Sequence, residues 1–198
     1  MVTTTNIYQT GLKFLEIASK YHEDVNQKFD GKPYSIHLSA VLRAALQYSY
    51  YFPDEVNDYL DVITFGACFH DTIEDARLTY NDVLKIASQY ISDKDKAIMA
   101  TEIVYALTNE KGRNRAERAN EKYYEGIRTT PFASFVKFCD RYANMKYSFA
   151  NKTSMAKKYA QELPHFIESL VDPKELDYKF GVPIELITAV KNLVCETK

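Results

Sequence analysis

The chain is poor in the residues on which many small special-purpose scaffolds depend. Among 198 residues there are three cysteines, six glycines, six prolines and no tryptophan. Cys68, Cys139 and Cys195 are odd in number and far apart, with no C-x-x-C pair. That pattern suggests neither a disulfide framework nor a structural zinc site, and points to small buried thiols. So few glycines and prolines argue against long disordered or collagen-like tracts. Nowhere do eighteen apolar residues run together without a charge. The opening MVTTTNIYQT also lacks a basic region followed by an apolar run. No membrane span is therefore expected, and a cytoplasmic location is the default expectation. Net charge is scarce too: 25 Lys and Arg against 27 Asp and Glu give −2. There is no basic footprint for polymeric nucleic acid, so any phosphate site must be a local patch.

What is present is helical periodicity. Apolar residues recur at helical spacing almost throughout, and the one Asp-Gly pair, Asp30-Gly31, leads into Lys32-Pro33 rather than into an alternating strand. The expected fold is all-α, a single domain over residues 1–198, with a core at about 12–150 and helices of 151–198 packed on it. Helices are expected at 5–27, 36–50, 54–74, 79–90, 92–108, 115–128, 131–150, 154–170 and 183–196. Capping signals mark several starts: Asp54 after Pro53, Thr79 with Asp82, Ser92 with Asp95, and Thr130 before Pro131. Breaks are expected at Pro164, Asp172-Pro173 and Gly181-Val182-Pro183. Two loops, Phe29 to Tyr34 and Asn109 to Asn114, combine Gly with Lys or Arg and are suited to placing cations and N–H groups near an anion.

The densest chemistry lies in His70-Asp71-Thr72-Ile73-Glu74-Asp75, at the end of the apolar run LDVITFGACF. Desolvated carboxylates beside an imidazole are costly unless a metal, a partner charge or hydrogen bonds compensate. If the segment continues as a helix, His70 and Glu74 share a face, as do Asp71 and Asp75. Taken alone, the hexapeptide is equally compatible with a helix C-terminus carrying a solvated acidic tail. Two further residues sharpen the choice. His37 opens an apolar helix, and Asp140 sits within FVKFCDRYANM, where a carboxylate needs a partner, with Lys137 and Arg141 as simple candidates and Asn144 one turn on. His37, His70, Asp71 and Asp140 together form a mixed N/O donor set suited to a divalent ion such as Mn2+, with positions left for water and a phosphate oxygen.

On these residues the sequence resembles the HD phosphohydrolase superfamily, whose pattern is H…HD…D on separate helices of an all-helical domain. PYSIH, CFHDTIED, LTNEKGRNRAERANEKYYEGIR and FVKFCDRYANMKYS narrow the resemblance to the hydrolase domain of the Rel/Spo family, over roughly Leu12 to Ala150. That resemblance implies a small stand-alone hydrolase that removes the 3′-pyrophosphate of guanosine-3′,5′-bis(diphosphate), ppGpp. It implies His37, His70, Asp71 and Asp140 as Mn2+ ligands, Glu74 and Asp75 as the pair that positions and deprotonates water, and Asn144 beside the scissile phosphate. Lys28, Lys111, Arg115 and Lys146 are the implied substrate contacts, with Lys32, Arg113 and Arg118 as further phosphate-binding candidates. The chain departs from the family in having only Lys28 where two adjacent cations are usual, Leu38 in place of a Pro, and Lys146 in place of an Arg.

No His occurs between His70 and His165, which favours one metal over two. His22 is expected to pack or hydrogen-bond rather than ligate, and His165 has no evident partner in the sequence. The sixteen tyrosines include possible stacking partners for a base, and none stands out. Two alternatives remain open at this point. One is a related nucleotide phosphohydrolase such as an NADPH 2′-phosphatase, and the other is a non-catalytic helical domain that binds alarmones.

Overall fold

A computed structural model of the chain describes residues 4–109, 117, 119–171 and 181–195. The architecture is all-α, as the periodicity predicts. In chain order the helices are α1 (Thr4–Asp24), α2 (Ser35–Tyr48), α3 (Leu60–Phe69), α4 (Tyr80–Tyr90), α5 (Lys94–Leu107), α6 (Glu121–Thr129), α7 (Ala133–Ala150), α8 (Met155–Leu170) and α9 (Ile184–Cys195). Two 3-10 segments, Ser49–Tyr51 and Asp54–Tyr59, join α2 to α3.

The apolar run of α3 has its explanation in its position. It packs against α1, α2, α5 and α7, and every residue from Val62 to Phe69 is buried. A helix walled on so many sides has no polar face to offer, hence the near-continuous hydrophobicity. Phe14 meets Phe65 edge-on at 5.2 Å, and Phe65 stacks on Phe69 at 4.2 Å. Gly66 leaves room for Ile103 of α5, since a Cβ there would lie 2.8 Å from Ile103 Cγ2. Side-chain growth at Gly66 would push apart the helix whose end carries the HD pair.

Several local expectations are corrected. Asp30-Gly31 does close a hairpin, pairing β1 (Lys28–Phe29) with β2 (Lys32–Pro33) in the register Lys28 to Pro33 and Phe29 to Lys32. Both turn residues take positive φ, 51° and 75°, which Asp tolerates and Gly prefers; this is the requirement of a tight hairpin turn. The strands are only two residues long, too short to show alternation. Thr79 and Asp82 form the expected capping box, with Asp82 Oδ2 accepting from Thr79 N at 2.9 Å. α5, however, is capped by Asp93 rather than Ser92, its carboxylate accepting from the N–H groups of Asp95 and Lys96. Pro131 is not the first residue of α7: Phe132 intervenes in the left-handed region at φ 63°, and its fully buried ring offsets that conformation. Pro164 lies inside α8 on its exposed side rather than ending it. Cys68 and Cys139 are buried as expected, whereas Cys195 is exposed.

Candidate metal centre

The long helix expected over 54–74 is interrupted at both ends. α3 stops at Phe69, and residues 70–76 form successive turns. Thr72 Oγ1 donates to the Phe69 carbonyl at 2.7 Å, competing with the helical ladder, and Arg77 at φ 63° redirects the chain. The consequence is that the three carboxylates fan out. Asp71 turns to the imidazoles, Glu74 accepts from Asn109 Nδ2 at 2.7 Å, and Asp75 accepts from Gln27 Nε2 at 3.0 Å.

Three separate stretches deliver the cluster. The Nε2 atoms of His37 and His70 lie 3.2 Å apart. Asp71 Oδ2 is 2.9 Å from His70 Nε2 and 3.6 Å from His37 Nε2. Asp140 Oδ1 is 3.4 Å from His37 Nε2 and 3.8 Å from His70 Nε2. The ligand atoms of His37, His70 and Asp71 all lie within 4.8 Å of one another, a group able to hold a divalent metal ion; Asp140 approaches that trio through the two imidazoles.

The donors fit such an ion. Two ligand atoms each about 2.0–2.2 Å from one cation stand roughly 3–3.5 Å apart, close to most of the separations found here. His70 Nδ1 is 2.9 Å from the Ala67 carbonyl, which can only accept, so that nitrogen carries a proton and Nε2 is the atom turned to the cluster. His37 Nδ1 has no hydrogen-bond partner. Its ring is instead stacked on Phe29 at 4.9 Å and met edge-on by Tyr34 at 5.3 Å.

The electrostatics favour positive charge at this point. Burial works against a charged His70, yet Asp71 and Asp140 outweigh it and raise its pKa to about 9. Burial likewise opposes the Asp71 carboxylate, and the two imidazoles hold its pKa well below the usual range. A field that retains a proton there also favours a cation. Asp75 is pushed up to about 6, first by burial and then by Asp71 and Glu74. Around the cluster, Tyr34 OH donates to Asp71 Oδ2 at 2.5 Å, Asn144 Nδ2 donates to Asp140 Oδ1 at 2.5 Å, and Lys137 Nζ donates to Asp140 Oδ2 at 3.1 Å. Of the two simple partners for Asp140, Lys137 takes the role, while Arg141 pairs with Glu162 at 3.1 Å.

The cluster opens into a cavity of about 690 Å³, within the size of small-molecule sites. Asp71, Glu74, Asp75, Lys137, Asp140 and Asn144 supply one share of its lining. Lys158, Tyr159, Glu162, His165 and Phe166 of α8 supply another. Arg141 bridges the two, its guanidinium lying over the rings of Phe166 at 4.4 Å and Tyr159 at 4.9 Å.

Of the expected substrate contacts, Lys28 and Lys146 are exposed and do not line this cavity; Lys146 Nζ instead lies 3.5 Å from Tyr142 OH. Lys32 donates to Tyr147 OH at 3.0 Å. Lys111 and Arg115, with Arg113 and Arg118, lie outside the described residues. His22 is fully buried and stacked on Tyr34 at 4.3 Å, with neither ring nitrogen hydrogen-bonded; it packs. His165 faces Tyr124 edge-on at 5.8 Å and lies 3.5 Å from Ser169 Oγ.

Sequence reasoning missed Tyr34, Gln27, Asn109 and the α8 share of the cavity. Tyr34 and Asn109 had a signal, each bounding one of the two cation-bearing loops; Gln27 and α8 are joined to the site only through long-range contacts. Among the described residues, no helix is long and apolar enough to cross a membrane. No family model matches the chain, and no curated protein matches it.

Proposed function

We propose that the chain is a divalent-metal-dependent nucleotide phosphohydrolase, with Mn2+ as the ion and the 3′-pyrophosphate of cytoplasmic ppGpp as the group removed. The observation that carries this reading is the meeting of His37, His70, Asp71 and Asp140 beside a nucleotide-sized cavity that also receives Glu74, Asp75 and Asn144. Three stretches far apart in the chain bring these four groups to one point. The resemblance to the Rel/Spo hydrolase domain supplies the substrate.

A divalent ion held there would place positive charge at the phosphoryl oxygens and lower the pKa of water toward neutrality. Everything else falls to the chain. His37, His70, Asp71 and Asp140 fix the position of that charge. Glu74 or Asp75 takes the proton as the water oxygen bonds to the phosphorus on the 3′ oxygen. The P–O3′ bond breaks, the 3′ oxygen is protonated, and GDP and pyrophosphate leave. Asn144 holds Asp140 by its hydrogen bond and turns toward the cavity, beside the reacting phosphate in this reading.

Incubating the purified protein plus Mn2+ with ppGpp and, separately, with NADPH, then identifying products by mass, tests the reading. Equimolar GDP and pyrophosphate from ppGpp are expected. Release of phosphate from NADPH alone would move the assignment to a 2′-phosphatase, and tight ppGpp binding without turnover would make the domain a sensor.

A further inference from the structure

We propose that Lys137 is a catalytic residue, its ammonium contacting a phosphoryl oxygen of the substrate next to the metal. The proposal rests on the phosphohydrolase reading of the site and adds a residue that neither the motifs nor the resemblance assigns.

Lys137 interrupts a stretch of α7 in which Phe135, Val136, Phe138, Cys139 and Asp140 are all buried. Only 16% of its side chain is exposed, and that part lines the cavity beside Asp71 and Asp140. An ammonium carries three donors: one goes to Asp140 Oδ2 at 3.1 Å and a second meets the Tyr123 hydroxyl, which leaves a third for the cavity. The Asp140 carboxylate is the ion-pair partner that this buried ammonium has on its own helix.

Charge balance then gives the residue its task. Two carboxylates, Asp71 and Asp140, match the two charges of a divalent ion, and Asp140 Oδ1 faces the imidazoles while its Oδ2 faces Lys137. With the ion in place, the carboxylate that now balances Lys137 is shared with the metal, and a buried, under-compensated ammonium is costly. The Tyr123 hydroxyl donates to the Leu107 carbonyl and meets Lys137 only as a neutral dipole, so it brings no balancing charge. Other cations of the cavity are placed differently: Arg141 is paired with Glu162, and Lys158 is exposed. A phosphoryl oxygen entering the cavity restores the balance, and the third donor of Lys137 can meet it.

The test separates contact with substrate from support of Asp140. Mn2+ affinity is measured by the loss of the free-ion EPR signal. Affinity of the Mn2+-loaded protein for inorganic pyrophosphate is measured calorimetrically, for wild type, Lys137→Met, Lys137→Gln and Lys137→Arg, with circular dichroism confirming the fold. The Met and Gln variants should keep Mn2+ affinity within about threefold and lose pyrophosphate affinity by about tenfold or more, with Arg between them and wild type. Pyrophosphate affinity equal to wild type in a folded Met or Gln variant would overturn the proposal. So would a parallel tenfold loss of Mn2+, which would make Lys137 a positioning residue for Asp140. Wild type that binds no Mn2+, or binds pyrophosphate equally without it, would instead refute the reading of the site itself.

Discussion

The two shares of the cavity lining are built differently. Around the four candidate ligands nearly every polar atom is engaged: Asp71 by His70, His37 and Tyr34, and Asp140 by the imidazoles, Asn144 and Lys137. His37 and His70 are 2% and 0% exposed. On α8, Lys158 and His165 are exposed and His165 lies 3.5 Å from Ser169 Oγ, while Glu162 is held by Arg141 at 3.1 Å. Such a contrast suits a division of labour, with a preorganised centre for the chemistry and an adaptable wall for recognising the rest of the ligand. Mutations in the two shares should then fail in different ways, the first in metal binding and turnover, the second in substrate affinity.

The largest effect is expected for Asp71→Ala. It should abolish Mn2+ binding, read by EPR, and turnover together, since it removes the carboxylate that lies 2.9 Å from His70 and 3.6 Å from His37. Glu74→Gln comes next: metal retained, turnover down by roughly 10²–10⁴ for the loss of a proton acceptor. Full activity in that variant would shift the role of base to Asp75. On the α8 side, Lys158→Ala should raise KM by about threefold to tenfold with kcat and Mn2+ affinity unchanged, the pattern of lost uniform binding. A fall in kcat instead would dissolve the contrast between the two shares.

The smallest expected effect concerns stability and pH. Burial pushes the His22 pKa down to about 4, whereas an unfolded histidine titrates near 6.5. The unfolded chain therefore binds more protons between these values, and stability present above pH 6.5 is lost as pH falls toward 4. His22→Leu should flatten that part of the Tm profile, and an unchanged slope would show that other groups dominate acid unfolding.

Much of this was legible in the sequence, for particular reasons. The HD pair could be read because it ends an apolar run, and Asp140 because a carboxylate is conspicuous between Phe138 and Met145. Thr79 with Asp82 carries a local capping signal that needs no tertiary context. What escaped depends on contacts between distant residues. The turn at 70–76 replaces the expected helix because Thr72 bonds backward and Arg77 adopts positive φ, and neither event has periodicity. Tyr34 reaches Asp71 across 37 residues and Gln27 reaches Asp75 across 48. The α8 lining carries no motif and reaches the cavity only through the packing of α8 on α7.

The most direct measurement is anomalous diffraction at the manganese edge from crystals grown with Mn2+. One peak is expected, coordinated by His37 Nε2, His70 Nε2, Asp71 Oδ2 and Asp140 Oδ1. A protein that takes up no ion between these four side chains, or holds it elsewhere, would contradict the assignment.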